Sequence, residues 1–558
     1  MAHPLAPESA LVPDYQEFLS TFSADSLKPA FIGDFDRGMN AAIECCDRYA
    51  ESGRIALYWE GQDGRSSTHT FEDLKESSSR FANFLLSQGV QPGDRVAGLL
   101  PRVPELLVVI LGTWRAGAVY QPLFTAFGPK AIEYRVSSSE AKLIVTDSSN
   151  RPKLDEIANC PAIATVTHNH SAKPLALGDF DFHAELANHS ASFTPVMRAG
   201  DDLFMMLFTS GTTGQAKGVP VPNTALKAIY LYMRYAVNLR ADDIYWNIAD
   251  PGWAYGLYYA AIGPLLMGHA TLFYEGSFTV DSTYRVIQKY KITNLAGAPT
   301  AYRMLIAAGP EKARVVRGRL RVVSSAGEPL NPEVIRWFSD HLDCAVNDHY
   351  GQTEVGMVLC NFHGLSHPVR AGAAGYAIPG YRMVVVSDEG VELQPGQQGN
   401  LAVDREMSSL YYFEGYWRQP TAGFIGKYYL TGDTVEMDAG GNIAFVGRGD
   451  DIITSSGYRI GPFDVESCLI EHPAVSEAAV IGKPDPERTE IVKAFVVLKA
   501  GYTASDALAI EIQQLVKHRL AAHAYPREVQ FVPELPKTPS GKIQRFLLRQ
   551  QESATPAK

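Results

Sequence analysis

Hydrophobic positions along this chain recur in two rhythms, one helical and one strand-like, and the two alternate. Over residues 71–88, FEDLKESSSRFANFLLSQ, Leu74, Phe81 and Leu85 fall on one helical face, and Gly89 can close the helix. A strand is predicted at 95–100, a helix at 105–116 and a short strand at 143–146. This succession predicts a mostly parallel sheet with helices on its faces. A second region of the same kind is expected from Asp202 to about Val346, with strands near 203–208, 270–273 and 320–324. From Tyr381 to Phe445 the segments become short and are broken by Gly, Pro and Asp, as in a small β-barrel or meander. Beyond the charged, Gly-rich turn 447–451, a helix at 462–471, strands at 475–482 and 492–499 and a helix at 504–521 predict a compact α+β module. The fold class is therefore α/β, with a large N-terminal part and a smaller C-terminal one.

Composition narrows the class of molecule. A chain of 558 residues exceeds one ordinary core, so at least two domains are expected. Its 46% hydrophobic and 20% charged residues are those of a soluble globular enzyme. A net charge of −11 without a basic run argues against a nucleic-acid partner. Cys45, Cys46, Cys160, Cys344, Cys360 and Cys468 form no CxxC pair or metal cluster, which fits reduced thiols in the cytoplasm. The first residues lack the basic and apolar regions of a secretory signal, and the apolar stretch 96–120 is interrupted by Pro101 and Pro104. No membrane partner is expected. Nothing in the pattern sets an oligomeric state.

The clearest chemical signal is Leu207-Phe208-Thr209-Ser210-Gly211-Thr212-Thr213-Gly214-Gln215-Ala216-Lys217-Gly218. An apolar strand runs into a loop of hydroxyls and glycines with one lysine. Glycine lets backbone N–H groups approach phosphate oxygens, the hydroxyls add donors, and Lys217 adds a cation. The spacing is not that of a Walker loop.

Such a loop resembles that of the adenylate-forming superfamily, which holds acyl-CoA synthetases, peptide-synthetase adenylation domains and luciferases. Further stretches match in the expected order over nearly the whole chain. Ala326-Gly327-Glu328-Pro329 resembles the turn lining the adenine site. Asp348-His349-Tyr350-Gly351-Gln352-Thr353-Glu354 resembles the adenine-stacking and magnesium segment. There Tyr350 can stack on the purine, Asp348 can accept from its amine, and Glu354, with Thr212, would hold Mg²⁺. Thr431-Gly432-Asp433 puts a carboxylate where it can accept the ribose hydroxyls, and Arg448 would contact the nucleotide. The resemblance makes Asp450 the hinge between an AMP-binding domain, 1–449, and a mobile C-terminal domain, 450–558. Ser456, Gly457 and Tyr458 would line the coenzyme A tunnel, with Arg459 near the phosphates. Lys542, in Pro539-Ser540-Gly541-Lys542, resembles the catalytic lysine, whose charge offsets the repulsion between carboxylate and α-phosphate.

The resemblance implies an ATP-, Mg²⁺- and coenzyme-A-dependent ligase that makes an acyl-adenylate and then a thioester, releasing pyrophosphate and AMP. The front segment 41–61 and the region 246–276 look most like acetyl-, propionyl- and medium-chain acyl-CoA synthetases. Trp253, Ala254, Tyr255, Gly256, Ala326 and Gly351 are the expected acyl pocket. Acetate enzymes carry a tryptophan where this chain has Gly351, so added room is expected, each buried CH₂ being worth roughly 0.8 kcal/mol. Tyr255 takes some of it back. Short or branched aliphatic acids from propionate to about hexanoate fit, and benzoate stays open. Similar enzymes are silenced by acylation of the lysine matching Lys542. An adenylation domain loading a carrier protein and a non-catalytic nucleotide binder are the competing readings, and the competent identities of Lys217, Glu354, Asp433, Arg448 and Lys542 disfavour the second.

Overall fold

The computed structural model describes residues 12–167, 175–209, 216–455, 458–485, 488–521, 523–538 and 542–554. The first predicted helix is present as Phe71–Ser87. Thr70 caps it: its hydroxyl accepts from the Asp73 N–H at 3.1 Å, and the Asp73 carboxylate accepts from the Thr70 N–H at 2.8 Å. Leu74, Phe81 and Leu85 are buried, and Gly89 leaves the helix at φ 75°. The next helix, Pro104–Arg115, starts on a proline whose missing N–H has no partner to lose there.

Among the described residues the strands form five sheets. One runs Phe180–Asp181, Ala162–Val166, Ala141–Asp147, Arg95–Leu99, Val119–Pro122, Leu203–Thr209, Lys217–Pro222, parallel except for the last strand. A second sets Tyr245–Asn247, Asn294–Gly297, Val322–Ala326 and Ala345–Gln352 in parallel and adds Gly356–Cys360 and Tyr376–Ala377 antiparallel. Ile55–Glu60 lies between Thr271–Tyr274 and Ser66–Thr70 in a third. Met383–Val386, Gln398–Asp404, Phe424–Ile425, Tyr428–Met437 and Ile443–Arg448 make the antiparallel meander.

The second predicted region divides among three sheets. Leu203–Thr209 joins the first sheet through Tyr120, and Thr271–Tyr274 joins Ile55–Glu60, which leaves only Val322–Ala326 in the second. Periodicity marks a strand but carries no information on which distant strand it pairs with.

The C-terminal sheet of Ile453–Ser455, Tyr458–Ile460, Val475–Asp485, Thr489–Leu498 and Glu528–Phe531 is covered by Pro462–Ile470 and Asp506–Arg519. It has an apolar core of its own, including Val465, Leu469, Val480, Val496, Ile512 and Val516. No helix among the described residues is long and apolar enough to cross a membrane.

A buried charge ties the N-terminal helices together. Arg115 is 1% exposed; it donates from Nη1 to Asp47 at 2.9 Å and from Nε to Ser78 at 2.7 Å, with a second bond from Nη2 to Asp47. Removing the carboxylate strands a guanidinium in the core, so Asp47→Asn is predicted to cost about 3 kcal/mol. Urea unfolding followed by tryptophan fluorescence should show a clearly lower midpoint; an unchanged one would mean the pair is dispensable.

Candidate active site

The carboxyl ends of the parallel strands converge on a cleft of about 1550 Å³, where open α/β sheets place their ligands. Thr209, Thr300, Ala326 to Pro329 and Tyr350 to Glu354 all stand at or just beyond strand ends on its wall. Asp433 and Arg448 of the meander lie opposite, and Lys542 and Arg545 close it from the C-terminal side.

Asp433 is the hub. It is 3% exposed and receives hydrogen bonds from the Tyr350 hydroxyl, from Gln352 Nε2 at 3.1 Å and from Arg448 Nη1 at 3.0 Å. Burial raises its pKa, while the charges of Arg448 and Lys542 act the other way. Gly432 turns the chain here at φ 79°, and a Cβ on it would press on Arg448 Nη2.

Asp348 is buried; its Oδ2 accepts from the Leu330 N–H at 3.1 Å, and its Oδ1 has no partner. Burial raises its pKa well above the ordinary value. His349 beside it has both ring nitrogens engaged inside the protein, by the Tyr232 hydroxyl at 2.8 Å and the Asn361 carbonyl at 3.2 Å. Burial pushes it down to about 3, so a neutral ring braces the strand, and His349 still borders the cleft. Glu328 follows Gly327, whose φ of 99° makes the turn, and accepts from Thr300 Oγ1 at 2.9 Å and Arg303 Nη2 at 3.0 Å. Thr353 is held by its carbonyl to the Tyr258 hydroxyl at 3.1 Å.

Glu354 is a buried carboxylate, raised in pKa by that burial, whose Oε1 accepts from the Tyr416 hydroxyl at 2.8 Å. Lys217 Nζ stands 4.7 Å from the centre of the same tyrosine ring. One residue thus touches two candidate phosphate-site groups. Its sequence signal was only an aromatic run, residues 411–417, that carries no motif. Ser210, Gly211, Thr212, Thr213 and Gly214 lie outside the described residues, as do Ser456, Gly457 and the Arg459 side chain.

On the acyl side, Trp253 packs on Phe124 at 5.1 Å and Phe127 at 5.4 Å between ring centres. Ala254, Tyr255, Ala326 and Gly351 share this wall. Gly256 plays another part: a Cβ there would run into the Asp250 carbonyl, so it is a packing glycine. Gly351 is also explained differently from expectation. It sits at a bulge, and a Cβ would strike the Gly356 carbonyl and come within 2.7 Å of Met357 Cα. A side chain is therefore excluded at this position, while the glycine itself stays on the cleft wall.

The Lys542 backbone is held in a hairpin: its N–H donates to Thr538 Oγ1 at 3.0 Å and its carbonyl accepts from the Thr538 N–H at 2.7 Å. Arg545, three residues on, reaches the buried Glu466 at 2.7 and 2.8 Å. Asp451 is tied to Arg549 at 2.5 Å and to Arg545 at 3.5 Å, whereas Asp450 only approaches Arg448 at 3.8 Å. Tyr458 is 52% exposed, stacked on His523 at 4.2 Å and off the cleft wall.

A cleft with a ribose-competent carboxylate, a second buried carboxylate with one open oxygen and a lysine from a second module is that of an adenylate-forming ligase. Residues 46–417 match the AMP-binding enzyme family and residues 464–542 the AMP-binding enzyme C-terminal domain, so the chain belongs to the AMP-binding enzyme family and is an ATP-dependent acyl-CoA synthetase. It is 40% identical over 531 residues to the acetyl-coenzyme A synthetase of Bacillus subtilis (strain 168), covering 93% of this chain and 91% of that protein. The mitochondrial acyl-coenzyme A synthetase ACSM3 of Rattus norvegicus is 35% identical, with 98% and 97% covered. The crystal structure of a Brucella canis acyl-CoA synthetase is 58% identical, with a TM-score of 0.80 over 97% of this chain and 99% of that one. The anthranilate CoA ligase AuaEII in complex with anthranoyl-AMP is 26% identical, with a TM-score of 0.85 over 95% and 99%.

Asp348, buried with no basic partner, generates a stability test. A carboxyl raised above its ordinary 3.8 stabilises the fold only while protonated and loses that contribution as pH rises. Asp348→Asn keeps the acceptor for Leu330 and removes the charge. Its melting temperature should exceed the wild type at about pH 8, and by a smaller margin at about pH 5. A margin independent of pH would contradict the assignment.

Proposed function

We propose that this synthetase activates a short or branched aliphatic carboxylic acid. The observation that carries the reading is the meeting of Asp433, Glu354 and Lys542 on one cleft with an aromatic wall of Trp253, Phe124, Phe127 and Tyr255. Asp433 takes the ribose hydroxyls, with Tyr350 beside the purine and the open Oδ1 of Asp348 facing its amine. Glu354 suits Mg²⁺, which is usually held by one or two carboxylates plus substrate phosphates and would neutralise phosphate charge there. Thr209 and Lys217 frame the phosphate loop from its two ends, paired across the sheet.

Lys542 would lie between the carboxylate and the α-phosphate. An acid oxygen attacks the α-phosphorus, the bond to the β-phosphate breaks, and pyrophosphate leaves. The coenzyme A thiol then loses its proton and attacks the acyl carbon, and AMP departs with the bonding pair. Exclusion of water protects the mixed anhydride between these steps.

The hinge reading of Asp450, with domains 1–449 and 450–558, is supported by its neighbours. Arg448 is anchored to Asp433 on one side and Asp451 to the last helix on the other, which leaves Asp450 the weakly tied residue between them. Rotation there would replace Lys542 by the segment 456–459 for thioester formation. Lys542 is exposed, so acylation by an activated acyl donor could reach it and would remove its charge. The free cysteines suit a reducing cytoplasm.

Lys542→Gln should lose at least a hundredfold in acid-dependent pyrophosphate release while keeping most thioester formation from supplied acyl-adenylate. Equal losses in both half-reactions would remove the two-state assignment. Across acetate, propionate, butyrate, isobutyrate, hexanoate and benzoate, kcat/KM should peak between three and six carbons. A peak at benzoate would instead assign the aromatic wall to an aromatic acid, and a peak at acetate would discard the pocket reading.

A further inference from the structure

Among the described residues, three lysine or arginine side chains are more than nine-tenths buried: Arg115, Arg135 and Lys493. Arg115 is paired with Asp47, and Lys493 with Glu552 at 2.5 Å. Arg135 differs. Burial lowers its pKa, and no carboxylate acts to raise it again. Its Nη1 donates to the Ala131 carbonyl at 2.8 Å within the helix Pro129–Ser139, and its Nε is buried with no acceptor. The guanidinium lies 4.1 Å from the Phe127 ring and 6.0 Å from that of Phe208. Stacking on aromatic faces stabilises the cation but leaves in-plane donors unanswered.

A buried charge without a partner is costly, and proteins keep one where a ligand completes it. Arg135 stands on the wall of the main cleft, which also includes Phe208, Thr209 and Lys217. Residues 210–215, which follow Thr209 in sequence, contain Ser, Gly, Thr and Gln and no acid. A fixed, planar fork of donors in an aromatic setting matches two oxygens of a phosphate chain better than a single hydrated ion.

We propose that Arg135 is a receptor for a diphosphate group in the cleft. The assignment rests on the ligase activity, in which two substrates bring that chemistry: ATP, as the departing pyrophosphate, and coenzyme A, as its internal diphosphate. The acid itself is not its ligand.

The test uses the full chain with Arg135→Gln and Arg135→Lys. Inhibition by inorganic pyrophosphate and KM for ATP report the first source. The ratio of kcat/KM for coenzyme A to that for pantetheine, which lacks phosphates, reports the second. Arg135→Gln should weaken one of these by tenfold or more and leave KM for the acid within about twofold, with Arg135→Lys recovering part of the loss. Weaker pyrophosphate inhibition with a raised ATP KM assigns the residue to ATP; a collapsed coenzyme A preference with pyrophosphate unaffected assigns it to coenzyme A. Unchanged values in both arms, or a loss confined to the acid, overturn the proposal. So does a loss of kcat shared equally by coenzyme A and pantetheine without a change in either anion. If the Gln variant does not fold, Arg135→Lys decides, since an ammonium cannot supply two parallel donors: anion affinities equal to wild type would overturn the assignment. Wild-type AMP release in the same assays separates failure of this assignment from failure of the ligase itself.

Discussion

The site depends on one carboxylate kept out of water. Asp433 lies at the base of the cleft, where Tyr350 and Gln352 from a parallel strand and Arg448 from the meander all donate to it. Those donors come from two sheets, so the same bonds that make Asp433 a defined acceptor also fix the meander against the parallel sheet. Arg448 then leads directly into the turn at Asp450 and Asp451, so the C-terminal module is attached at the cleft itself. A group that pays its desolvation through three donors in the free protein is ordered before any substrate arrives, which favours binding through preorganisation.

The other acidic groups of the cleft show how binding chemistry opposes stability. Asp348 and Glu354 are both buried and both raised in pKa, and neither has a basic side chain in hydrogen-bond contact. Glu354 is steadied by the Tyr416 hydroxyl, and Asp348 by a backbone N–H. Arg135 is the cationic counterpart of this pattern. Other charges are matched by bidentate partners, Arg115 with Asp47 away from the cleft and Arg545 with Glu466 at its C-terminal side. The cleft thus carries both matched pairs, such as Asp433 with Arg448, and acids without a basic partner.

Legibility in the sequence was uneven for physical reasons. The helix Phe71–Ser87, the strand Leu203–Thr209 and the C-terminal α+β module could be read because a period and a cap are local properties of the chain. Asp433, Arg448, Glu354 and Lys542 could be read because each sits in a short motif whose residue types suit phosphate and ribose chemistry, and the fold brings all four to one cleft. Tyr416 could not be read, since its hydroxyl meets Glu354 across a separation of 62 residues. Arg135 looked like any helical arginine until its surroundings were known.

Residue types, spacing and hydrophobic period by themselves determined the elements and a phosphate-suited loop, and the order of short motifs resembled the adenylate-forming class. Tertiary structure alone decided the partners: which sheet took Leu203–Thr209, why His349 is neutral and enclosed, and which glycines are packing devices. Gly256 reads as pocket space in one dimension, yet in three it lies off the cleft wall where the Asp250 carbonyl passes too close for a side chain; Gly351 stays on the wall, with the Gly356 carbonyl excluding a side chain there. Steric exclusion and desolvation are set by atoms that other segments of the chain deliver to the same place, so they take a value only after the chain has folded.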